Sequence, residues 1–150
     1  MDAEALLGLV GVVLGAGLSI VGTWRVSLQR ERLRDYRRLI PVLTLVAVEL
    51  KENRDRLVEH AVTEPQRRMD LLRLGDWAAS KITLVELMRE ESHSSLLYRV
   101  FDAYAVIEDA LRFGTPPPDP NTLDEIMEQL LATREEFARR IDSARLLRRF

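Results

Sequence analysis

The feature that most constrains this chain is an apolar run near its beginning. Residues 5–24 read ALLGLVGVVLGAGLSIVGTW and contain no charged side chain. A helix rises about 1.5 Å per residue, so this run covers roughly the 30 Å hydrocarbon core of a bilayer. Such a helix satisfies its backbone hydrogen bonds internally. The run therefore predicts a transmembrane helix at 5–24, inside an N-terminal anchor at 1–24, with the lipid bilayer as its partner.

The charges around the run predict its orientation. Asp2 and Glu4 precede it without any Lys or Arg, whereas arginines follow it. Because positive charge stays on the cytoplasmic side, we expect a bacterial cytoplasmic (inner) membrane protein with its N-terminus outside and its C-terminal domain in the cytosol. A cleaved signal peptide is the alternative, but its first region is basic and this one is acidic.

A basic juxtamembrane helix at 25–40 is the next predicted segment. This segment either adheres to anionic lipid headgroups or acts only as a topology signal, which needs no lipid specificity. We expect Trp24 to lie at headgroup level beside these arginines. The residues predicted to contact the membrane surface are Trp24, Arg25, Arg30, Arg32, Arg34, Arg37 and Arg38.

Small residues in the apolar run follow a helical spacing. Five of the seven glycines of the chain lie in this run, and Gly11 and Gly15 form a GxxxG pair. Small residues on one face let a second helix approach closely. The pattern predicts a homo-oligomer, although apolar helices of this kind are rich in glycine without any such role. The predicted packing residues are Gly8, Gly11, Gly15, Ser19 and Gly22.

Composition limits what the remaining chain can be. The 150 residues carry a net charge of −2 and no cysteine, so we expect no nucleic-acid partner, no disulfide and no thiolate nucleophile. Apolar residues recur at three- and four-residue steps, and no segment alternates as a strand does. The predicted class is all-α: the transmembrane helix followed by an antiparallel cytosolic bundle of about four helices at 41–150.

The predicted helices have recognisable ends. One covers about 26–62 with a kink or break before Pro41, and a short one covers 66–74. Asp76 is the predicted cap of a helix at about 77–90, and Gly114 ends the next. Thr122 and Glu125 form a capping box for a last helix reaching about 148. The predicted buried faces are Leu33, Tyr36, Ile40, Leu43, Ala47, Leu50 and Leu57, then Trp77, Ile82, Val85 and Met88, then Leu97, Val100, Tyr104, Ile107 and Leu111, and finally Leu123, Ile126, Leu130, Phe137, Ile141 and Ala144.

Asn53 is the predicted buried polar residue. It falls on the apolar side between Leu50 and Leu57, where a buried amide must find a partner. We interpret it as an amide that fixes helix pairing. The stretch ELKENRDRL, behind a single span, resembles a class of uncharacterised bacterial single-pass membrane proteins with a cytosolic helical domain that carries an ExxxN element. The resemblance implies that layout and no activity.

The chain lacks the usual signs of catalysis. Glu90 and His93 form an ExxH half-motif, but a di-metal bundle needs two such elements plus glutamates from facing helices. The only other histidine, His60, has Leu57 three residues before it, so the second element is missing. No glycine-rich phosphate loop or nucleophile elbow is present in 25–150. We therefore expect no catalytic residue, no cofactor, no metal and no enzyme activity.

Three functions remain as hypotheses. The first is a membrane-anchored scaffold or adaptor that self-associates through its glycine face and presents the bundle to a cytosolic protein partner. The alternative is a membrane-active effector, of phage-defence or toxin type, that assembles in the bilayer and permeabilises it. A transmembrane relay that senses a signal from the bilayer or the cytosol is a third possibility.

Overall fold

The structure of the chain is a computed structural model. It describes residues 3–59, 72–88 and 91–146, and within them it leaves aside the side chains of 3–15, 17, 18, 87, 91 and 92. The described residues form four helices and no strand: α1 (Ala3–Glu59), α2 (Gly75–Leu87), α3 (Glu91–Phe113) and α4 (Pro120–Leu146). The chain divides into two units, Met1–Asp35 and Tyr36–Phe150. The predicted helical bundle fits the second unit.

The predicted transmembrane helix is wrong. Of its twenty positions, the structure describes the side chains of 16 and 19–24, and Arg25 follows directly. From there to Asp35 the helix carries four arginines and two acidic residues, so charge recurs at almost every turn. No helix in the described part of the chain is long and apolar enough to cross a membrane. The expectation of a single-pass transmembrane protein is wrong for the same reason.

The direction of the helices follows from their contacts. Tyr36 of α1 stacks on Phe137 of α4, with ring centroids 4.5 Å apart. Further along α1, Arg54 reaches Asp124 near the start of α4 at 3.0 Å. The two helices are therefore antiparallel. The contacts of Arg99 with Glu125 and of His93 with Phe137 show that α3 and α4 are antiparallel as well. Trp77 of α2 stacks on Tyr104 of α3.

The bundle core is built from one face of each helix. In α4 the buried residues are Leu123, Ile126, Leu130, Thr133, Phe137 and Ile141, close to the predicted set, while Ala144 is half-buried. In α2 the prediction is partly wrong, because Ile82 and Val85 are exposed while Ser80 and Leu84 are buried. Burial at 77, 80, 84 and 88 is the regular three- and four-residue spacing of a helix face.

The end of α3 at Gly114 agrees with the prediction, whereas the start of α4 differs from it. Gly114 has φ 68° directly after α3, the left-handed conformation that ends many helices. α4 begins at Pro120, and the side chain of Asp119 accepts the N–H of Asn121 at 3.2 Å. Asp119 is therefore the cap of α4, and Thr122 lies within its first turn.

Two further helix predictions concern α1 and the segment after it. α1 continues through Pro41, so the predicted break is wrong, although Pro41 cannot donate to the carbonyl of Arg37. The predicted helix at 66–74 lies outside the described residues up to 71, and residues 72–74 are not helical.

Candidate functional site

The first polar site of the bundle is centred on Glu49. This residue lies on the buried side of α1, and its side chain is only 3% exposed. Its carboxylate accepts the backbone N–H of Asp76 at 2.7 Å and that of Trp77 at 3.0 Å. These N–H groups belong to the first turn of α2, where no intrahelical acceptor exists. Glu49 therefore caps α2 from another helix, and its negative charge meets the positive end of the helix dipole.

The predicted cap of α2, Asp76, is wrong for this reason. α2 begins at Gly75, and Leu74, the residue at its N-cap, makes no side-chain cap. Asp76 is the second residue of the helix, and it contributes a backbone donor instead of a side-chain acceptor.

Asn53 binds the same segment one helical turn further along α1. It is completely buried, its side-chain NH₂ donates to the carbonyl of Arg73 at 2.9 Å, and its side-chain oxygen accepts the N–H of Arg73 at 2.8 Å. One amide thus satisfies both backbone groups of a non-helical residue. The structure brings Asn53 and Glu49 together on the segment 73–77. The hydrogen bonds described for the two side chains all go to backbone groups of this segment.

Two aromatic residues complete this site. Tyr104 of α3 stacks on Trp77 with centroids 4.4 Å apart and an interplanar angle of 4°. Its hydroxyl is buried and makes no hydrogen bond of normal geometry within the described residues. Burial raises the pKa of Tyr104 well above its ordinary value, and the charge of Glu49 raises it further. We call Glu49, Asn53, Trp77 and Tyr104 the Glu49 cluster.

The chemistry of the Glu49 cluster is structural. Both oxygens of the Glu49 carboxylate already accept a backbone N–H, and both polar atoms of the Asn53 amide are paired. These hydrogen bonds hold the segment 73–77 against α1. Glu49 is not among the residues predicted from the sequence, although it stands four residues before Asn53 in the ExxxN element, on the buried side of α1.

A second cluster joins α1 to α4 at the opposite end of the bundle. The guanidinium of Arg140 donates to the Tyr36 hydroxyl at 2.8 Å and lies 5.6 Å from the centre of its ring. His93 packs edge-on against Phe137, with centroids 5.2 Å apart, and its Nε2 is 4.0 Å from Glu136. Glu90 lies outside the described residues. Within the described residues, no three His, Asp or Glu side chains are grouped as a metal site would require.

The described side chains of the first unit form a different kind of surface. Every one from 19 to 32 is exposed, and large apolar residues are among them. Trp24 is 63% exposed, so it does not pack in a core. The exposed large apolar residues of this segment are Ile20, Val21, Trp24, Val26 and Leu28.

The predicted small-residue face is described at two positions, Ser19 and Gly22. Both are exposed, and a Cβ added at Gly22 meets no atom within 4 Å among the described residues. Val26 follows four residues later on the same side of the helix. Gly8, Gly11 and Gly15 lie in α1 but outside the residues whose surroundings are described.

The predicted basic residues are exposed, and no ion pair joins them to another described residue. Within the described part of the chain, no carboxylate lies within 4.0 Å of any of their guanidinium groups, whereas arginines of the bundle such as Arg54, Arg99 and Arg140 are paired. Four of the six belong to the first unit and two to the second. They are Arg25, Arg30, Arg32 and Arg34, and then Arg37 and Arg38.

No protein-family model, curated protein or solved structure matches this chain.

Proposed function

We propose that the protein is a non-enzymatic helical scaffold that pairs with a second copy through α1 and presents its bundle to a protein partner. The observation that carries the proposal is Gly22. Glycine in a helix interior costs roughly 1 kcal/mol relative to alanine. The described chain offers no compensating contact there, because the space around an added Cβ is open.

A close contact with a second helix would explain why glycine is present at position 22. The distance between two packed helices depends on the side chains at their contact, and glycine gives the shortest approach. Ser19, Gly22 and Val26 are spaced three and four residues apart, so they lie along one face of α1. This pairing surface consists of Ser19, Gly22 and Val26, and it needs no transmembrane helix.

The bundle supports the adaptor part of the proposal. Its buried carboxylate and amide, Glu49 and Asn53, are used up in holding backbone groups. They give the second unit a fixed shape instead of a reactive centre. A bundle in which buried polar side chains fix the backbone of a neighbouring segment is suited to presenting a surface of constant shape.

The test compares the mass of the full chain with that of two leucine variants. Gly22→Leu adds a large side chain to the pairing surface, and we expect it to weaken self-association at least about tenfold. Ser27→Leu adds the same side chain elsewhere on the helix and leaves association unchanged. Analytical ultracentrifugation over a concentration series measures both. A monomeric wild type, or equal effects of the two variants, contradicts the proposal.

The effector alternative is not proposed. No observation on the described residues specifically favours it. The proposed pairing depends only on exposed positions of α1.

A further inference from the structure

We infer that a second face of α1, distinct from the pairing surface, binds an anionic lipid surface. Val21, Arg25, Leu28 and Arg32 follow one another at steps of four, three and four residues. At 100° per residue they lie within an arc of about 60°. Trp24 borders this arc. We call these five residues the lipid face; all of them are exposed and all belong to the first unit.

The lipid face and the pairing surface do not overlap. Ser19, Gly22 and Val26 are centred about 120° around the helix from the lipid face. A chain that is paired through Gly22 therefore still exposes Val21, Arg25 and Leu28. The inference does not depend on self-association, and the two can fail separately.

The composition of the lipid face matches a bilayer interface. Val21 is 50% exposed and Leu28 is 37% exposed, so both have apolar area available for burial among acyl chains. Indole is favoured at headgroup depth because it has an apolar body and a polar N–H. The arginines on the same face have no carboxylate within 4.0 Å in the described part of the chain, so their charge is free to meet phosphate.

Acidic residues limit how far the lipid face extends along α1. Between Arg25 and Asp35 there are four arginines and two acidic residues, a net charge of 4 − 2 = +2. The acidic residues, Glu31 and Asp35, lie on the Trp24 side and follow the apolar part of the face. Contact with an anionic surface is therefore strongest between Val21 and Arg32.

A lipid surface fits these residues better than a nucleic acid does. Phosphate backbones attract arginine equally well, but they offer nothing to cover exposed valine and leucine side chains. An anionic bilayer accepts the cationic and the apolar groups in one contact. Binding of this kind weakens as salt rises, because surface charges are screened.

The experiment uses the full chain and vesicles of phosphatidylglycerol and phosphatidylcholine, with pure phosphatidylcholine as the comparison. We expect binding to the anionic vesicles only. The double variant Arg25→Gln/Arg32→Gln should bind about thirtyfold more weakly, since each basic residue near the surface contributes roughly a factor of five. Arg30→Gln/Arg34→Gln removes the same charge from the opposite side and should lose less than about fivefold.

Fluorescence provides an independent readout. On binding, the emission of Trp24 should shift to shorter wavelength, and Trp24→Phe should abolish the shift because Trp77 is already buried. Gly22→Leu should keep vesicle binding, which separates this inference from the proposed pairing. Absence of binding to anionic vesicles overturns the inference. So do equal losses in the two double variants, or the same pattern of losses with duplex DNA.

Discussion

The carboxylate of Glu49 accepts the backbone N–H of Trp77 at 3.0 Å, so a side chain in the middle of α1 fixes the first turn of α2. The two residues are 28 positions apart, and the contact is made with backbone. The start of α2 is therefore fixed by a buried carboxylate of α1 and not by a side chain at its own N-cap.

Replacing Glu49 is expected to destabilise the bundle. Glu49→Gln keeps one acceptor but removes the charge that complements the helix dipole, and it exposes one buried N–H to an amide donor. We expect the free energy of unfolding to fall by about 2 kcal/mol. Urea unfolding measures the change. Glu128→Gln, at an exposed position of α4 without an ion pair among the described residues, is the control and should change stability by less than about 0.5 kcal/mol.

Asn53 tests a second contact between α1 and the segment at the start of α2. Asn53→Leu has a similar volume but leaves both the N–H and the carbonyl of Arg73 without their partner. We expect a loss of about 2 kcal/mol, because two part-buried hydrogen bonds to the backbone of Arg73 are removed. Hydrogen exchange of the Arg73 amide should accelerate in the variant. An unchanged exchange rate would show that Asn53 does not hold this segment.

Two tyrosines give a matched pair of core substitutions. The Tyr36 hydroxyl accepts a hydrogen bond from Arg140, whereas the Tyr104 hydroxyl is buried without one of normal geometry. Tyr36→Phe should cost about 1 kcal/mol, and Tyr104→Phe should leave stability at pH 7 unchanged or slightly higher. Equal losses in the two variants would contradict the difference in hydroxyl pairing that the structure shows.

The raised pKa of Tyr104 predicts a loss of stability in alkali. Its ordinary value is 10.0, and burial together with the charge of Glu49 raises the folded-state pKa above this. Above about pH 10 the unfolded chain releases this proton while the folded chain keeps it, so the free energy of unfolding falls as pH rises. The slope from one group is about 1.4 kcal/mol per pH unit. Tyr104→Phe should decline less steeply than wild type between pH 10 and 11.

Part of the bundle could be predicted from sequence because its helices have a regular apolar spacing. On α4, Leu123, Ile126, Leu130, Phe137 and Ile141 are buried as predicted. α2 is too short and too apolar for spacing to choose its face, so Ile82 and Val85 were assigned to the core although they are exposed. The apolar composition of 5–24 similarly favoured a transmembrane helix that the described structure does not support.

The candidate site could be predicted only in part. Asn53 was recognised because an amide between Leu50 and Leu57 needs a partner. That partner is the backbone of Arg73, in a segment whose position depends on the tertiary fold. Glu49 was missed because a carboxylate normally indicates a solvated face, and its burial is possible only where α2 presents free N–H groups.

The most direct test of the central claim, pairing through the Gly22 face of α1, is disulfide formation between copies. The chain has no cysteine, so an introduced thiol is its only one. A disulfide needs Cα atoms about 4.4–6.8 Å apart, which a close helix contact at Gly22 provides in either helix direction. We predict that Gly22→Cys forms a covalent dimer under mild oxidation and that Ser27→Cys stays monomeric. A monomeric Gly22→Cys, or equal dimer formation in both variants, would contradict the account.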